Sequence, residues 1–189
     1  MRVLLACEES QIVTKEFRNL GVEAYSCDIL PTSGDNPEWH LQQDLIPLLE
    51  EEWDLIIAFP PCTHIASSGA KHFEKKRADG RQQEGIDFFM QITKAKYKHL
   101  VIENPVGIMS TIYKKPTQII QPWQFGDEYQ KTTCLWIKNL PNLVPTDVVD
   151  KGKMQTLHNG KHSDRNKVRS KTFPRDSKRN GYTVGSLSN

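Results

Sequence analysis

The sequence of 189 residues predicts an α/β domain in which helices cover both faces of a doubly wound parallel sheet. Short apolar segments, typical of buried strands, alternate along the chain with segments whose apolar residues recur at helical spacing. The chain also begins with a strand, a helix and a second strand, an order that implies parallel pairing. A single core is expected for a chain of this length.

The first predicted elements lie near the N-terminus. Apolar residues 2–6 predict a buried strand, residues 11–20 a helix and residues 22–27 a second strand. Gly21 is expected to end the helix. The helix is indicated by four apolar residues at helical spacing, Ile12, Val13, Phe17 and Leu20.

The middle of the chain contains the strongest predicted strand. Residues 53–59, WDLIIAF, are apolar enough for a strand buried on both faces, and a short helix at 45–52 precedes them. Residues 31–39 and the polar stretch up to about Gly80 are loop by composition. A helix is predicted over 82–97. Three later strands are predicted at residues 99–102, 118–120 and 134–137.

Composition argues against several classes of protein. No apolar run approaches the ~20 residues that span a bilayer, and acidic residues follow the N-terminus too soon for a secretory signal. We therefore expect a cytoplasmic protein without a membrane partner. The four cysteines form no Cys-x-x-Cys pair, which argues against a zinc site and a disulfide scaffold. No cysteine pair precedes His158 and His162 either, so a solvated loop is favoured there and no metal site is predicted.

The charge is distributed unevenly. Residues 1–150 carry 15 Lys and Arg against 21 Asp and Glu, a formal charge of −6, whereas residues 151–189 carry 10 against 2, a formal charge of +8. This contrast divides the chain into a domain at 1–150 and a basic, weakly ordered tail at 151–189. The tail could hold phosphates of a nucleic acid, or it could be a solubilising extension.

Residues capable of chemistry follow the predicted strands. Glu8 and Ser10 follow the first strand, Asp28 the second, Cys62 the strand at 53–59, and Glu103 the strand at 99–102. Doubly wound sheets bind ligands beyond the carboxyl ends of their strands. These side chains are therefore expected to meet in one crevice.

Two aspartates in this set suit a nucleoside ligand. An acid at the position of Asp28 accepts hydrogen bonds from ribose hydroxyls in dinucleotide and nucleoside folds, although an aspartate after a strand is more often a turn former. Asp44 could accept a hydrogen bond from an adenine amino group. Its other natural role is the N-cap of the helix predicted from residue 45.

Cys62 and Glu103 suit catalysis. Cys62 stands just past two prolines that end the strand and fix the backbone, so the turn can aim its thiol into the crevice. A carboxylate at the end of an apolar strand must be hydrogen-bonded or have a raised pKa, and either state suits a group that holds a ring nitrogen. The structural alternative is that Glu103 and Asn104 only tie the loop around Pro105.

At these residues the chain resembles the DNA cytosine-5 methyltransferases, especially the short methylase-like proteins of phages and prophages. The segment WDLIIAFPPCTHIASSGAKHF is similar to the family's catalytic segment, in which Pro-Cys ends a strand and Ser-x-Gly follows, here Ser67 and Gly69. The segment DGRQQEGIDFFMQITKAKYKHLVIENP is similar to the next block, a helix feeding a strand that ends in Glu-Asn. The resemblance covers roughly residues 2–138 and implies a Rossmann-like, S-adenosylmethionine-dependent methyltransferase fold.

The resemblance also implies roles for individual residues. Cys62 is expected to add to carbon 6 of cytosine, and Glu103, with its neighbour Asn104, to hold ring nitrogen 3 while carbon 5 takes a methyl group. Asp28 is expected to hold the ribose of S-adenosylmethionine and Asp44 its adenine. The full set expected at the cofactor is Cys7, Glu8, Ser10, Asp28, Asp44 and Pro60.

The chain departs from the family pattern in three places. The loop after the first strand lacks the family's glycines, and Thr132 and Cys134 stand where the family has arginines. The remaining ~50 residues are too few for a target-recognition domain. Residues near Cys62 could hold DNA phosphates instead, although a solvated loop is the commoner meaning of such a basic run. This nucleic-acid set is Ser67, Lys71, Lys75, Lys76, Arg77 and Arg81.

Three functions remain open from the sequence. The first is methylation of carbon 5 of cytosine in single- or double-stranded DNA through a Cys62 adduct. The second is the same chemistry on a free nucleotide, which would account for the absent recognition domain. The third is a phage protein that binds nucleic acid or nucleotide and has lost catalysis.

Overall fold

The computed structural model describes residues 1–150, so the predicted tail, with His158 and His162, lies outside the described residues. Residues 1–150 contain seven strands: β1 (Arg2–Ala6), β2 (Glu23–Asp28), β3 (His40–Gln42), β4 (Trp53–Ala58), β5 (Tyr97–Pro105), β6 (Gln118–Ile120) and β7 (Thr133–Lys138). They also contain four helices: α1 (Ile12–Asn19), α2 (Phe73–Ala78), α3 (Arg81–Ile92) and α4 (Met109–Ile112). Within this range no helix is long and apolar enough to cross a bilayer.

The strands form one sheet in the order β3-β2-β1-β4-β5-β7-β6. The strands β1 to β5 pair in parallel. Strands β2 and β3 lie on one side of β1, and β4 lies on its other side. The switch point therefore lies between β1 and β4, where a doubly wound sheet opens its ligand crevice. The prediction of an α/β fold is confirmed.

The prediction of an all-parallel sheet is wrong for β7, which pairs antiparallel with both β5 and β6. The link from β6 to β7 contains a 3₁₀ turn at Pro122–Gln124 but no α-helix. Without a helical crossover the chain does not pass back over the sheet, so β7 returns in the opposite direction.

The core lies on both faces of the sheet. On one face α3 packs Phe89 and Ile92 against Leu4, Ile56 and Leu100. On the other face α1 packs against alternate residues of the same strands. The core cluster on this second face includes Val3, Leu5, Val13, Phe17 and Ile57. Each fully buried apolar side chain stabilises the fold by roughly 2 kcal/mol through its removal from water.

Several predicted elements differ from the structure. The helix predicted at 45–52 is a 3₁₀ turn at Ile46–Glu50, with a proline inside it. The helix predicted to reach residue 97 ends at Ile92, because β5 begins at Tyr97 and is longer than predicted. Helix α2 occupies part of the predicted polar loop, and β3 lies just after the predicted loop at 31–39. Both are too short for periodicity to reveal them.

Main-chain hydrogen bonds hold the loop that follows β4 against the segment that follows β5. Ser67 N–H donates to the Val106 carbonyl at 2.8 Å, and Ile108 N–H donates to the Ile65 carbonyl at 3.0 Å. Gly107 lies between these bonds, and a Cβ placed on it would stand 2.3 Å from the Ile65 carbonyl oxygen. The close approach of the two segments therefore requires glycine at this position.

Gly107→Ala is expected to lower the free energy of unfolding by about 2 kcal/mol, because the added methyl group displaces backbone rather than a side chain. Gly85→Ala in α3 is the matched control. A Cβ there would stand 3.3 Å from a methyl group of Ile65, and the gain in helix propensity is about 1 kcal/mol. Urea denaturation measures both variants. Equal stability of the two variants would show that the Gly107 contact is not required.

Candidate active site

The turn at the end of β4 places Cys62 beside the switch point of the sheet. Phe59 N–H donates to the Ala6 carbonyl at 2.9 Å, which continues the pairing of β4 with β1 by one residue. Pro60 and Pro61 have no N–H, so the ladder stops there. Cys62 is partly exposed, and its carbonyl accepts hydrogen bonds from the N–H groups of the third and fourth residues that follow it.

Asn104 connects this turn to β5. Its side chain is 3% exposed, and its amide Nδ2 donates to the Pro60 carbonyl at 2.9 Å. The bond joins residues 44 positions apart in the chain and satisfies a carbonyl that β4 can no longer pair. The sequence left open whether Asn104 ties the loop around Pro105, and the structure shows that its side chain holds the Pro60–Cys62 turn instead.

Glu103 is the neighbour of Asn104 on β5, and side chains alternate along a strand, so the two point to opposite faces of the sheet. Desolvation by the surrounding protein raises the pKa of Glu103. The positive charge of Lys131 acts in the opposite direction but more weakly. Among residues 1–150 no group donates a hydrogen bond to the Glu103 carboxylate. Glu103 therefore holds a proton to higher pH than an ordinary glutamate does.

Gln121 contacts the segment in which the resemblance implied arginines at positions 132 and 134. Gln121 Nε2 donates to Thr132 Oγ1 at 2.6 Å, and Lys131 N–H donates to Gln121 Oε1 at 3.1 Å. Cys134 is buried and lies opposite Asn104 in the β5–β7 register. No guanidinium replaces the absent arginines at these two positions. Lys131, which the sequence analysis did not select, supplies the positive charge near Glu103.

Glu8, predicted to contact the cofactor, instead contacts the first turn of α1, the helix that follows it in the chain. It is 5% exposed, and its Oε1 accepts from Val13 N–H at 2.6 Å. Its Oε2 accepts from Thr14 Oγ1 at 2.6 Å and from Thr14 N–H at 3.2 Å. The carboxylate therefore binds the first free N–H groups of α1. Burial raises the pKa of Glu8 to about 7, although these hydrogen bonds favour its charged form.

The loop between β1 and α1 is shaped by Gln11, which sequence analysis took only as a helix start. Its side chain is fully buried, and its Nε2 donates to the Asn36 carbonyl at 2.7 Å. A Cβ at Gly34 would stand 2.3 Å from Gln11 Oε1, so this glycine makes room for the amide. Cys7, in the same loop, has a left-handed backbone with φ 61°, and burial raises the pKa of its thiol.

The two aspartates chosen for the nucleoside both form local turns. Asp28 Oδ1 accepts from Leu30 N–H at 3.0 Å, and Asp44 Oδ1 accepts from Ile46 N–H at 3.0 Å. Each carboxylate keeps its second oxygen available, because no other donor among residues 1–150 contacts it. Ser10 is partly exposed in the loop after β1, and Ile29, next to Asp28, is 73% exposed.

The predicted nucleic-acid set separates into outward and inward residues. Lys71, Lys75 and Arg77 are exposed, as is Ser67. Arg81 is also exposed, and it pairs with Asp79 at 2.5 Å. Lys76 differs from the prediction: it is 8% exposed, and its Nζ donates to the Thr63 carbonyl at 2.5 Å. We call Lys71, Lys75 and Arg77 the basic face.

An open groove of about 610 Å³ is lined by residues of α2, α3 and α4. It contains no cysteine and no acid, and its only cationic residue is Arg77. One of its lining residues, Gln82, also contacts the loop after Cys62 through the His64 carbonyl. Residues 1–150 contain no cluster of three or more side chains suited to a metal ion.

Glu8→Gln is expected to remove a pH dependence of stability. Because folding raises the pKa of Glu8 from 4.5 to about 7, the folded protein binds more protons than the unfolded chain between these values. The free energy of unfolding should therefore fall by about 3 kcal/mol as pH rises through this range, and the fall should be absent in Glu8→Gln. Urea denaturation at several pH values measures it.

The matched control is Glu16→Gln in α1, the helix that Glu8 contacts, because the Glu16 side chain makes no hydrogen bond among the described residues. It retains Glu8 and should retain the fall in stability. Persistence of the fall in Glu8→Gln would mean that another group causes it.

No known family model matches this chain, and no curated protein matches it. The function is therefore inferred from the residues at the strand ends and from their contacts.

Proposed function

We propose that this protein transfers a methyl group from S-adenosylmethionine to carbon 5 of cytosine in DNA, with Cys62 as the nucleophile. The observation that carries the proposal is the hydrogen bond from Asn104 to the Pro60 carbonyl. It holds the turn bearing Cys62 against the strand bearing Glu103. A thiol and a carboxyl group with a raised pKa then border the same end of the sheet.

The proposed mechanism uses both groups on the pyrimidine ring. The Cys62 thiolate forms a bond to carbon 6, and the electron pair displaced from the 5,6 double bond makes carbon 5 nucleophilic. Glu103 donates its proton toward ring nitrogen 3 and stabilises the negative charge that the addition places on the ring. Carbon 5 would take its methyl group as the bond from that group to the sulfonium sulfur of S-adenosylmethionine breaks, and a base would then remove the carbon 5 proton so that the 5,6 double bond re-forms. The bond from sulfur to carbon 6 then breaks, and the thiolate is restored.

The residues around β2 fit the nucleoside part of the cofactor. Asp28 offers an available carboxylate oxygen for ribose hydroxyls, and the exposed side chain of Ile29 offers an apolar surface for a purine. Ser10 lies in the loop on the β1 side of the same sheet edge. When bound, S-adenosylmethionine supplies an electrophilic methyl group. The carboxylate of Glu8 is engaged by α1, so we assign it the task of shaping this loop rather than binding the cofactor.

The DNA would be held by the basic face and by the tail. A cytosine within a duplex must leave the base stack before a thiol reaches carbon 6, at a cost of a few kcal/mol. Phosphate contacts can offset this cost without reading sequence. Lys71, Lys75 and Arg77 follow the Cys62 turn in the chain, and residues 151–189 carry a formal charge of +8. We therefore expect little sequence specificity.

The test is methyl transfer from labelled S-adenosylmethionine to duplex DNA, single-stranded DNA or free nucleotides. Wild-type protein should label DNA, Cys62→Ser should not, and Glu103→Gln should be slower by a factor of about 10² or more. Cys27→Ala, at a buried thiol on β2, is the matched control and should retain activity. DNA containing 5-fluorocytosine should form a denaturant-stable adduct at Cys62, because fluorine cannot leave as a proton.

The other outcomes decide between the remaining functions. Label in free nucleotides alone would favour a small substrate. Binding of DNA or S-adenosylmethionine without transfer or adduct would favour a binding protein that has lost catalysis.

Removal of residues 151–189 is expected to weaken DNA binding mainly at low salt. The removed segment carries 10 Lys and Arg, and each phosphate contact contributes about 0.9 to the slope of log affinity against log salt. A chain ending at Asp150 should show a shallower slope, measured by fluorescence anisotropy from low to moderate salt. An unchanged slope would mean that the tail makes no phosphate contacts.

A further inference from the structure

Two buried side chains from neighbouring helices bind the backbone that directly follows Cys62. Lys76 of α2 donates from Nζ to the Thr63 carbonyl at 2.5 Å. Gln82 of α3 donates from Nε2 to the His64 carbonyl at 3.2 Å. The two side chains are 8% and 5% exposed. Successive carbonyls after the thiol are therefore each held by a separate helix.

Lys76 is largely buried, and the hydrogen bond of its ammonium to the Thr63 carbonyl is part-buried. Burying an ammonium group is unfavourable unless a carboxylate or several hydrogen bonds compensate for the lost water. Among residues 1–150 no carboxylate forms a salt bridge with Lys76, and its recorded partner is one neutral carbonyl. An apolar side chain of similar length would fill the same space at a lower desolvation cost. Within residues 1–150 the side chain of Lys76 is therefore held by the loop after Cys62 and not by an ion pair.

Gly69, in the loop after Cys62, lies close to the ammonium of Lys76. A Cβ at Gly69 would stand 3.2 Å from Lys76 Nζ and 3.6 Å from the Thr63 carbonyl oxygen. A side chain at Gly69 would therefore make a tight contact with the ammonium and force it to shift slightly. The Cys62 carbonyl in turn accepts from the Ile65 and Ala66 N–H groups at 3.1 and 2.9 Å. The carbonyls of residues 62–64 are thus all hydrogen-bonded.

We propose that Lys76 and Gln82 are positioning residues for Cys62, acting by holding the carbonyls of Thr63 and His64 so that the turn keeps one conformation. Asn104 holds the turn before the thiol, and these two residues hold it after the thiol. An effect of these residues on the rate of methyl transfer rests on the proposed function. Their effect on the order of the turn does not depend on that function.

The test compares Lys76→Met with Lys75→Met, because Lys75 is exposed on the same helix. Hydrogen exchange of the amides in residues 62–69 should be about tenfold faster in Lys76→Met, the change expected when a hydrogen bond to a charged donor is lost. Exchange in β5 should be unchanged, which separates local loosening from global unfolding. Lys75→Met should exchange like wild type.

A second variant guards against misfolding of Lys76→Met. Gly69→Ala adds one methyl group 3.2 Å from Lys76 Nζ and should speed exchange in the same segment to a smaller extent. Wild-type exchange of residues 62–69 in both variants would overturn the proposal.

Kinetics separate this proposal from the proposed function. If wild-type protein transfers methyl groups, Lys76→Met should lower kcat by about tenfold while KM for S-adenosylmethionine stays within about twofold. Equal changes in both constants, or none, would contradict a positioning role. If wild-type protein transfers no methyl groups, the proposed function fails, and hydrogen exchange alone decides whether Lys76 and Gln82 order the turn.

Discussion

The candidate site depends on the hydrogen bond between the Asn104 side chain and the Pro60 carbonyl. Two prolines stop β4 from extending its pairing, so the chain leaves the sheet abruptly, and a buried carbonyl needs a donor from elsewhere. Asn104 supplies that donor from the end of β5. The contact through Gly107 then fastens the rest of the loop to the same strand exit. The turn that bears Cys62 is thereby tied to β5, the strand that contains Glu103.

Burial has different consequences for two carboxyl groups at this edge of the sheet. Desolvation raises the pKa of both Glu8 and Glu103. Glu8 is surrounded by donors from α1, so its carboxylate completes a helix end. Glu103 has a nearby cation in Lys131 but accepts no hydrogen bond among the described residues. The local hydrogen-bond donors, more than the burial, therefore distinguish the two carboxyl groups.

Two adjacent lysines of α2 differ in exposure. Lys75 faces solvent, whereas the adjacent Lys76 reaches back to the backbone after Cys62. Composition marks both only as basic, so an exposed lysine and a lysine bound to the loop backbone cannot be told apart in this run of charges. The proposed positioning of Cys62 by Lys76 matters because Cys62 lies on a loop, and loop side chains keep a productive geometry only when neighbouring elements lock them.

The sequence by itself determined the α/β class and the strand ends. Strands β1 and β4 are buried on both faces and therefore read as continuous apolar runs, and α1 shows its buried stripe. These local patterns also placed Cys62 beyond a strand, but the prediction that Glu103 follows its strand is wrong, because β5 continues to Pro105. Only the tertiary structure decided the direction of β7, the existence of α2 and β3, and the partners of Glu8, Gln11, Lys76 and Asn104. The physical reason is that periodicity reports which face is buried, whereas a hydrogen-bond partner 44 residues away depends on how the elements pack.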